Sequence, residues 1–510
     1  MTPQSLAQEL QDFLAESPGS LVLEDGLVLF DLADAKFSIS DENDKCLLHL
    51  WSTERNLVRR VTDAQRKNGS LLLEVRKFGQ PKPTKLEICS ERDQRSPSAK
   101  RAARAAFQRM FTAVLQKEYP AHTIEKLTSA PDLEHSFGPA YARGIVRQGR
   151  SAFAVIGVNN QELQPTIDGT LTAGLLWLQY CRENTTKYLV EGLRIFVPAG
   201  RSDTLRARLA HLNHSASRFQ LYEFEQRDAS VRQLDIHDAG NIATRLVRCP
   251  DHEAAQERFR SAIQQVISMV ESGKDEVEMA VLSPSELAFR WRGLEFARVR
   301  SSLKPGSFQQ EHEVIFGAGA YETALTEETA PFLRDLLHRM MLARRPGGDR
   351  HDALWRMQPE RWLESLLMRD IQVIDASLDP QHVYRQVPAF AASDRAMIDL
   401  LTCTQDGRLA VIEVKASEDM HLPLQGLDYW ARVNWHHQRG EFQKFGYFAG
   451  RQLSAEPPLL VLIAPAFQVH PSTDAQLKYL SPKIDCSLVG VNEDWRNGLR
   501  VIFRKSAAAR

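Results

Sequence analysis

A short apolar run between charged residues constrains this chain more than any other feature. Residues 409–412 (LAVI) follow an Asp-Gly pair, and this pattern predicts a buried strand whose hairpin partner contains residues 399–401. Side chains alternate between the two faces of a strand, so Glu413 and Lys415 are expected to point the same way. Together with Asp399, they would converge at one end of a small sheet.

Two carboxylates and a lysine in this arrangement point to a particular chemistry. Mg²⁺ prefers carboxylate oxygens and keeps several waters for contact with substrate phosphates. The alternative is a surface hairpin whose charges are solvated and whose following helix is merely amphipathic. The order and spacing of the polar residues favour the metal site.

A second motif follows the hairpin. Thirteen residues separate Asp399 from the Glu413-Val414-Lys415 tripeptide, and Gln425 and Tyr429 come next on a predicted helix. This set resembles the PD-(D/E)xK nuclease superfamily, and the Gln-x-x-x-Tyr pair resembles its RecB-like branch. The resemblance implies a restriction-endonuclease-like core, which is a central mixed sheet flanked by helices.

The resemblance also implies roles for these residues. Asp399, Glu413 and the Val414 carbonyl would bind Mg²⁺ or Mn²⁺, and Lys415 would orient the attacking water or stabilise charge on the phosphoryl oxygens. The remaining pair, Gln425 and Tyr429, would help to position the metal and the substrate strand. The scissile bond would be a phosphodiester.

Members of this superfamily commonly supply a further acidic residue from the helix before the hairpin. Glu360 and Glu364 lie one turn apart in such a predicted helix, so they share a face. We choose Glu364 because it lies deeper in the helix, and Glu360 remains open as the alternative.

The chain shows signs of an internal duplication. Residues 151–160 (SAFAVIGVNN) predict a buried strand that is followed by a helix and another apolar strand, and the same succession begins near residue 408. Aligning residues 154–156 with 410–412 leaves only a three-residue length difference when Trp177 is aligned with Trp430. The fold class is therefore expected to be α/β (α+β mixed), with a degenerate core in the N-terminal half and a β-rich module before each core.

The first core lacks the acids. Gly157 takes the place of Glu413, Asn159 that of Lys415 and Arg143 that of Asp399. Such a site has no acidic pair, so we expect this core to grip substrate or to act as a scaffold. Its candidate phosphate-binding residues are Arg143, Arg147 and Arg150.

Composition sets the remaining limits. The 510 residues suggest several domains, for which the expected ranges are 1–95 (β-rich), 96–250 (degenerate core), 251–350 (helix, β-rich module and linker) and 351–510 (nuclease core). The charged ARRPGGDRHD segment, residues 343–352, is predicted to be a flexible joint. A net charge of −1 excludes a global basic field, and the six cysteines form no CxxC pair. No signal segment or membrane-spanning run is evident, so a cytoplasmic protein is expected.

These patterns predict a Mg²⁺-dependent DNA nuclease, with RNA the less favoured substrate. The alternatives are a non-catalytic nucleic-acid-binding scaffold and a defence-system component that is active only with a partner. No phosphate-binding glycine loop is evident, so a helicase or translocase would have to act in trans.

Overall fold

The computed structural model describes the chain apart from residues 1, 18, 25–26, 33–34, 42–44, 52–55, 68–69, 77–82, 90–96, 133, 226–229, 239–243, 304–309, 319–321, 392–396 and 508–510. The chain divides into two compact units. One comprises Met1–Arg147, Gly157–Ile167 and Phe224–Val231, and the other comprises Gln148–Ile156, Asp168–Glu223 and Arg232–Arg510. The fold is mixed α/β with several sheets, in agreement with the expected class.

The first unit begins with a helix and an antiparallel sheet. The elements are α1 (Pro3–Glu16), β1 (Leu21–Glu24), β2 (Leu27–Asp31), β3 (Lys36–Ser40), β4 (Cys46–Trp51), β5 (Asn56–Lys67), β6 (Ser70–Arg76) and β7 (Thr84–Cys89). The strand order is β2-β1-β7-β6-β5-β4-β3. The apolar face of α1, with Leu6, Leu10 and Phe13, packs on this sheet, because its apolar residues recur at helical spacing.

The next elements lie on either side of the unit boundary. They are α2 (Pro97–Glu118), β8 (Thr123–Thr128), β9 (Tyr141–Gln148), β10 (Ser151–Val158), α3 (Gln164–Asp168), α4 (Thr170–Glu183), β11 (Leu189–Pro198), α5 (Asp203–Leu209), β12 (Arg218–Phe224), β13 (Val231–Leu234) and β14 (Thr244–Leu246). The charged, Ser- and Pro-containing segment 90–101 predicts a linker; residues 90–96 lie outside the described part of the chain, and residues 97–101 are helical. In the second unit, β10 to β13 follow one another in the order β10-β11-β12-β13.

A second antiparallel sheet precedes the C-terminal core. It contains β15 (Val277–Ser283), β16 (Glu286–Trp291), β17 (Leu294–Leu303), β18 (Gln310–Phe316) and β19 (Thr323–Ala324), in sequence order. Its core is shared with the flanking helices α7 (Arg260–Ser268) and α8 (Ala330–Ala343), and the short helix α6 (His252–Arg258) precedes α7. A 3₁₀ turn, Lys274–Glu276, leads into the first strand.

The prediction that residues 343–352 form a flexible joint is wrong in one respect. Arg344 is fully buried, its guanidinium lies over the Trp362 ring at 4.5 Å, and it donates hydrogen bonds to the carbonyls of Leu354, Met357 and Arg292. Burial lowers the pKa of Arg344 to about 9. This arginine fastens the segment to its surroundings, although the local glycines and charges are typical of a loop.

The C-terminal core is a seven-stranded sheet in the order β14-β20-β21-β22-β23-β24-β25. Its elements are α9 (Ala353–Arg356), α10 (Pro359–Arg369), β20 (Tyr384–Ala391), β21 (Met397–Cys403), β22 (Leu409–Val414), α11 (Leu422–Gln438), α12 (Glu441–Lys444), β23 (Leu459–Pro465), α13 (Thr473–Leu477), β24 (Cys486–Val491) and β25 (Val501–Ser506), with 3₁₀ turns at Ile371–Val373, Ala466–Gln468 and Trp495–Asn497. The pairs β20/β21, β21/β22 and β24/β25 are antiparallel, whereas β22/β23 and β23/β24 are parallel.

Two helices cover this sheet and thereby position the candidate site. Trp362, Leu363 and Leu367 of α10 share an apolar core with Ile412 and Val414 of β22. On α11, Gly426 approaches β23 and β22 so closely that an added Cβ would lie 2.5 Å from Leu462 and 3.6 Å from the Glu413 Cβ. The predicted hairpin is confirmed, since Leu400 pairs with Ile412 across β21 and β22. Within the described residues, no helix is long and apolar enough to cross a membrane.

Candidate active site

The site forms where β22 ends, beside the neighbouring strand β21. Leu400 is in register with Ile412, so Asp399 and Glu413 lie opposite each other on adjacent strands. Asp399 Oδ2 accepts a hydrogen bond of 3.0 Å from the Val414 backbone N–H. The side chain of Lys415, the first residue after the strand, brings its Nζ to 3.2 Å from Glu413 Oε1. The structure therefore brings together the three residues of the first sequence motif.

Glu413 is the most deeply buried member of the site. Its exposed fraction is 0%, and within the described residues neither carboxylate oxygen makes a hydrogen bond of acceptable geometry, so the contact with Lys415 is an ion pair only. Burial, followed by the nearby Asp399 charge, raises the pKa of Glu413 well above its ordinary value. A fully buried carboxylate is costly even beside one ammonium, so a further cation or a proton would stabilise this group.

Asp399 and Lys415 respond to the same environment in opposite senses. Burial raises the pKa of Asp399, although the Val414 N–H and the Lys415 charge counteract it. Burial alone would lower the pKa of Lys415, but the surrounding carboxylates, with Glu413 foremost, raise it overall. Lys415 is therefore a charged ammonium inside an acidic cluster, in reach of an incoming phosphate.

Helix α10 carries Glu364, which lies beside this cluster. Glu364 is 2% exposed, and its Oε2 accepts from Arg361 Nη1 at 3.3 Å, Arg385 Nε at 3.2 Å and Gln386 Nε2 at 3.0 Å. Burial, with a further contribution from the Asp399 charge, raises the pKa of Glu364 to about 7. This carboxylate can exchange a proton near neutral pH.

Glu360, the open alternative, also faces the acidic cluster. Burial raises the pKa of Glu360, Lys415 lowers it and Asp399 raises it. The Ala416 backbone N–H donates to this carboxylate. The two glutamates therefore occupy different places: Glu364 reaches Asp399 through Gln386, and Glu360 lies towards the loop after Lys415.

The structure adds Gln386, which the sequence motifs do not identify. Its neighbours Arg385 and Val387 pair with Leu400 and Ile398, so Gln386 lies opposite Asp399 on β20. Its Nε2 lies 3.0 Å from Glu364 Oε2 and 3.5 Å from Asp399 Oδ1, and its φ of 53° is unusual for a residue other than glycine. A strained backbone thus aims an amide between two acids, as is common at functional sites.

Arg385 ties the site to the β15–β19 sheet. It forms an ion pair with Glu278 on β15 in addition to its contact with Glu364. The sequence gives no local signal of this ion pair, because Arg385 and Glu278 are far apart along the chain. The β15–β19 sheet therefore takes part in holding helix α10, which carries Glu364.

Helix α11 places the second motif beside the acids. Gln425 Nε2 donates to the Tyr429 hydroxyl at 3.3 Å, and Tyr429 is 9% exposed. Burial and the Glu413 charge raise the pKa of Tyr429, so its phenol remains protonated. The missing side chain of Gly426 allows this helix to approach the strand that carries Glu413.

The residues present fit a divalent cation by their chemistry. Burial raises the pKa of Glu364, Asp399 and Glu413, and the Asp399 charge raises the pKa of the two glutamates further. A cation would relieve both penalties. Among the residues that the structure describes, however, no group of three or more His, Cys, Asp or Glu side chains already stands ready to hold a metal ion.

The positions that the sequence alignment matches to this site have a different character. An added Cβ at Gly157 would lie 2.9 Å from the Phe111 ring, so a glutamate has no room there. Arg143 is 4% exposed, lies over the Phe137 ring at 4.5 Å and donates to the Ala130 carbonyl. This burial removes Arg143 from the expected phosphate-binding set, because its guanidinium is committed to the interior.

The other two arginines of that set are more accessible. Arg147 pairs with Glu125 at 2.6 Å and is half-buried, and Arg150 is exposed. Their contact with phosphate remains a prediction.

No protein-family model matches this sequence, and no curated protein matches it at a significant level. The chemistry of the site itself therefore carries the functional conclusion.

Proposed function

We propose that the chain is a metal-dependent phosphodiesterase that hydrolyses DNA, with its active site at the end of β22. The single observation that carries this proposal is the Glu413 carboxylate, which is fully buried, has no hydrogen-bond donor among the described residues and faces both Asp399 and Lys415. A structural role does not explain such a group, since a buried ion pair is often less stabilising than well-packed apolar side chains of similar volume.

The donor set would hold Mg²⁺ or Mn²⁺ rather than a softer metal. Asp399 and Glu413 supply carboxylate oxygens, and the Val414 carbonyl is the proposed third protein ligand. A bound ion would supply Lewis-acid activation of the scissile phosphate and of a water molecule.

The remaining residues perform the steps that the protein itself controls. Lys415 donates to the phosphoryl oxygens, where negative charge increases during attack. Glu364 can accept a proton because its pKa is close to neutrality, and Arg361 and Arg385 hold its carboxylate in place. Gln425 and Tyr429 offer an amide and a neutral phenol for the substrate strand.

Contacts between residues 168–223 and 419–485 support the proposed duplication. Helix α4 contacts α13, and α5 contacts α11, so corresponding helices exchange equivalent contacts. At the centre, Leu212 bridges Leu480 in antiparallel fashion. Such reciprocal contacts between equivalent surfaces are typical of twofold-symmetric dimers. The proposed arrangement is a fused pair of nuclease-like cores, of which the first grips substrate or serves as a scaffold.

The side chains around this interface behave in the same way in both halves. Arg208 on α5 donates to the Asp168 carbonyl just before α4, and Gln476 on α13 donates to the Met420 carbonyl just before α11. In each half, the shorter helix (α5 or α13) therefore holds the residue just before the longer helix (α4 or α11) of the same half. Arg208 also forms a bidentate ion pair with Asp428, at 2.9 and 2.7 Å.

Cleavage assays test the proposal directly. Wild type, Glu413→Ala and the control Glu456→Ala would be incubated with linear, circular and single-stranded DNA in Mg²⁺, Mn²⁺ or EDTA. Glu456 is a surface carboxylate paired with Arg408, outside the site. We expect metal-dependent cleavage by wild type and the control, and its loss in Glu413→Ala.

Three outcomes would replace the proposal. Identical traces for wild type and Glu413→Ala would exclude an enzyme that acts alone through this site. DNA binding without cleavage would instead favour the scaffold function, and cleavage restored by an added helicase or translocase would identify a partner-dependent component.

A further inference from the structure

Phe467 is the most exposed large hydrophobic side chain among the residues that the structure describes. Its exposed fraction is 87%, whereas most phenylalanines of this chain lie in apolar cores. It lies in the 3₁₀ turn Ala466–Gln468, directly after β23. Its backbone is fixed, because the Phe467 N–H donates to Glu493 Oε1 at 2.6 Å. The ring is thus held in solvent by an ordered turn.

This ring lies at the edge of the sheet that carries the acids. Strands β22 and β23 are parallel, with Val414 paired to Ile463, so both strands end at the same edge. The Lys415 N–H donates to the Ile463 carbonyl at 2.9 Å. Ligands of sheets with parallel strands bind outside their carboxyl ends, and Phe467 follows one such end.

The loops that follow the two strands also approach each other. The Lys415 ammonium lies 3.9 Å from Asp419 Oδ2, and the adjacent Glu418 lies 3.9 Å from His470 Nε2. His470 belongs to the loop that begins at Phe467. The loop that begins at Phe467 is therefore joined to the loop after Glu413 and Lys415 by the contact between His470 and Glu418.

The surroundings of Phe467 favour a small flat ligand. Glu493 contacts the turn that carries the ring, and residues 466–470 contain no other large exposed hydrophobic side chain, so this turn presents a single ring rather than a large apolar patch of the kind that binds proteins. A nucleobase offers a flat face to a single aromatic ring. Bases inside a duplex have both faces covered by their neighbours, so only an unpaired base could stack there.

We infer that Phe467 stacks on an unpaired nucleobase of a strand whose phosphate lies at Glu413 and Lys415, and that the substrate class is single-stranded DNA. This inference rests on the proposed function, which it makes more specific. Phe467 contacts substrate and provides affinity, and the acids perform the chemistry.

The test compares Phe467→Ala with Phe467→Tyr and with the control Phe332→Ala. Phe332 is 66% exposed on α8, outside the site. The probes are a fluorescent single-stranded oligonucleotide, the same oligonucleotide with abasic sites and a blunt hairpin duplex. Binding is measured by anisotropy in EDTA, and KM by cleavage in Mg²⁺.

Loss of one base stack weakens binding by about 5- to 150-fold. We therefore expect Phe467→Ala to raise Kd and KM for the single strand by that factor, with Phe467→Tyr and Phe332→Ala close to wild type. The abasic oligonucleotide should bind weakly and equally to wild type and Phe467→Ala.

Three results would overturn the inference: equal affinities of wild type and Phe467→Ala for the single strand, an equal loss on the abasic probe, or a preference for the duplex. A Glu413-dependent nuclease that shows any of these would keep the proposed function and lose only the stacking role. Cleavage that persists in Glu413→Ala would overturn both.

Discussion

Replacing Glu364 by glutamine should stabilise the protein while inactivating it. The pKa of Glu364 is raised from an ordinary 4.5 to about 7, so the folded state prefers the protonated form, which glutamine imitates. The side chain is 2% exposed, so solvent screens it little. A shift of this size corresponds to about 3 kcal/mol at pH values above the folded pKa.

The sign of the pH dependence follows from proton binding. Between pH 4.5 and 7 the folded state binds more protons at Glu364 than the unfolded state does, so the free energy of unfolding falls as the pH rises. The destabilisation is absent below this window and complete above it. We expect Glu364→Gln to exceed wild type by about 1 kcal/mol at pH 5 and about 3 kcal/mol at pH 8.

Urea unfolding in EDTA at several pH values measures this difference. Added Mg²⁺ should then stabilise wild type more than the variant, because ion binding favours the ionised carboxylate. If the free energy of unfolding of Glu364→Gln exceeds that of wild type by the same amount at pH 5 and pH 8, the raised pKa assigned to Glu364 is wrong. Full nuclease activity in the variant would refute the catalytic role.

Three other changes probe the site and the duplication. Gln386→Gly should keep the left-handed backbone without strain, so thermal unfolding should show unchanged or slightly higher stability, by up to about 1 kcal/mol, whereas cleavage rates fall. Gly157→Glu should destabilise the protein by at least about 2 kcal/mol in urea unfolding, because Phe111 occupies the space. Lys415→Met should lower the cleavage rate by about 10²-fold or more, measured at saturating substrate, while leaving DNA binding largely intact.

The strand at the centre of the site could be predicted because its signal is local. The apolar run and the Asp-Gly turn lead directly to β22 and its hairpin, and Gly407 has the positive φ of 89° that such a turn needs. The spacing of Gln425 and Tyr429 likewise predicts a shared helix face, and the two side chains do contact each other. The spacing of apolar and polar residues and the identity of the turn residues are sufficient to predict these features.

The partners of the acids could not be predicted, because they depend on tertiary structure. Gln386 acquires its role from strand register and an unusual backbone angle, neither of which leaves a pattern in the sequence. Arg385 joins Glu364 to Glu278 across two sheets. Arg143 was chosen for its charge and its alignment, but the Phe137 ring and the Ala130 carbonyl draw it into the interior.

The two halves of the chain explain why the acidic cluster needs a functional reason. At Gly157 the fold closes by packing an aromatic ring against the strand, which buries apolar surface without any charge. At Glu413 the same predicted position carries a buried carboxylate that lies near Asp399 and has no hydrogen-bond donor among the described residues. The first solution favours folding and the second opposes it, because repulsion and desolvation act together. A chain that can build the position either way, and that keeps the costly version next to a lysine, gains something that packing does not supply. In the function proposed above, a cation bound at these acids would supply that gain.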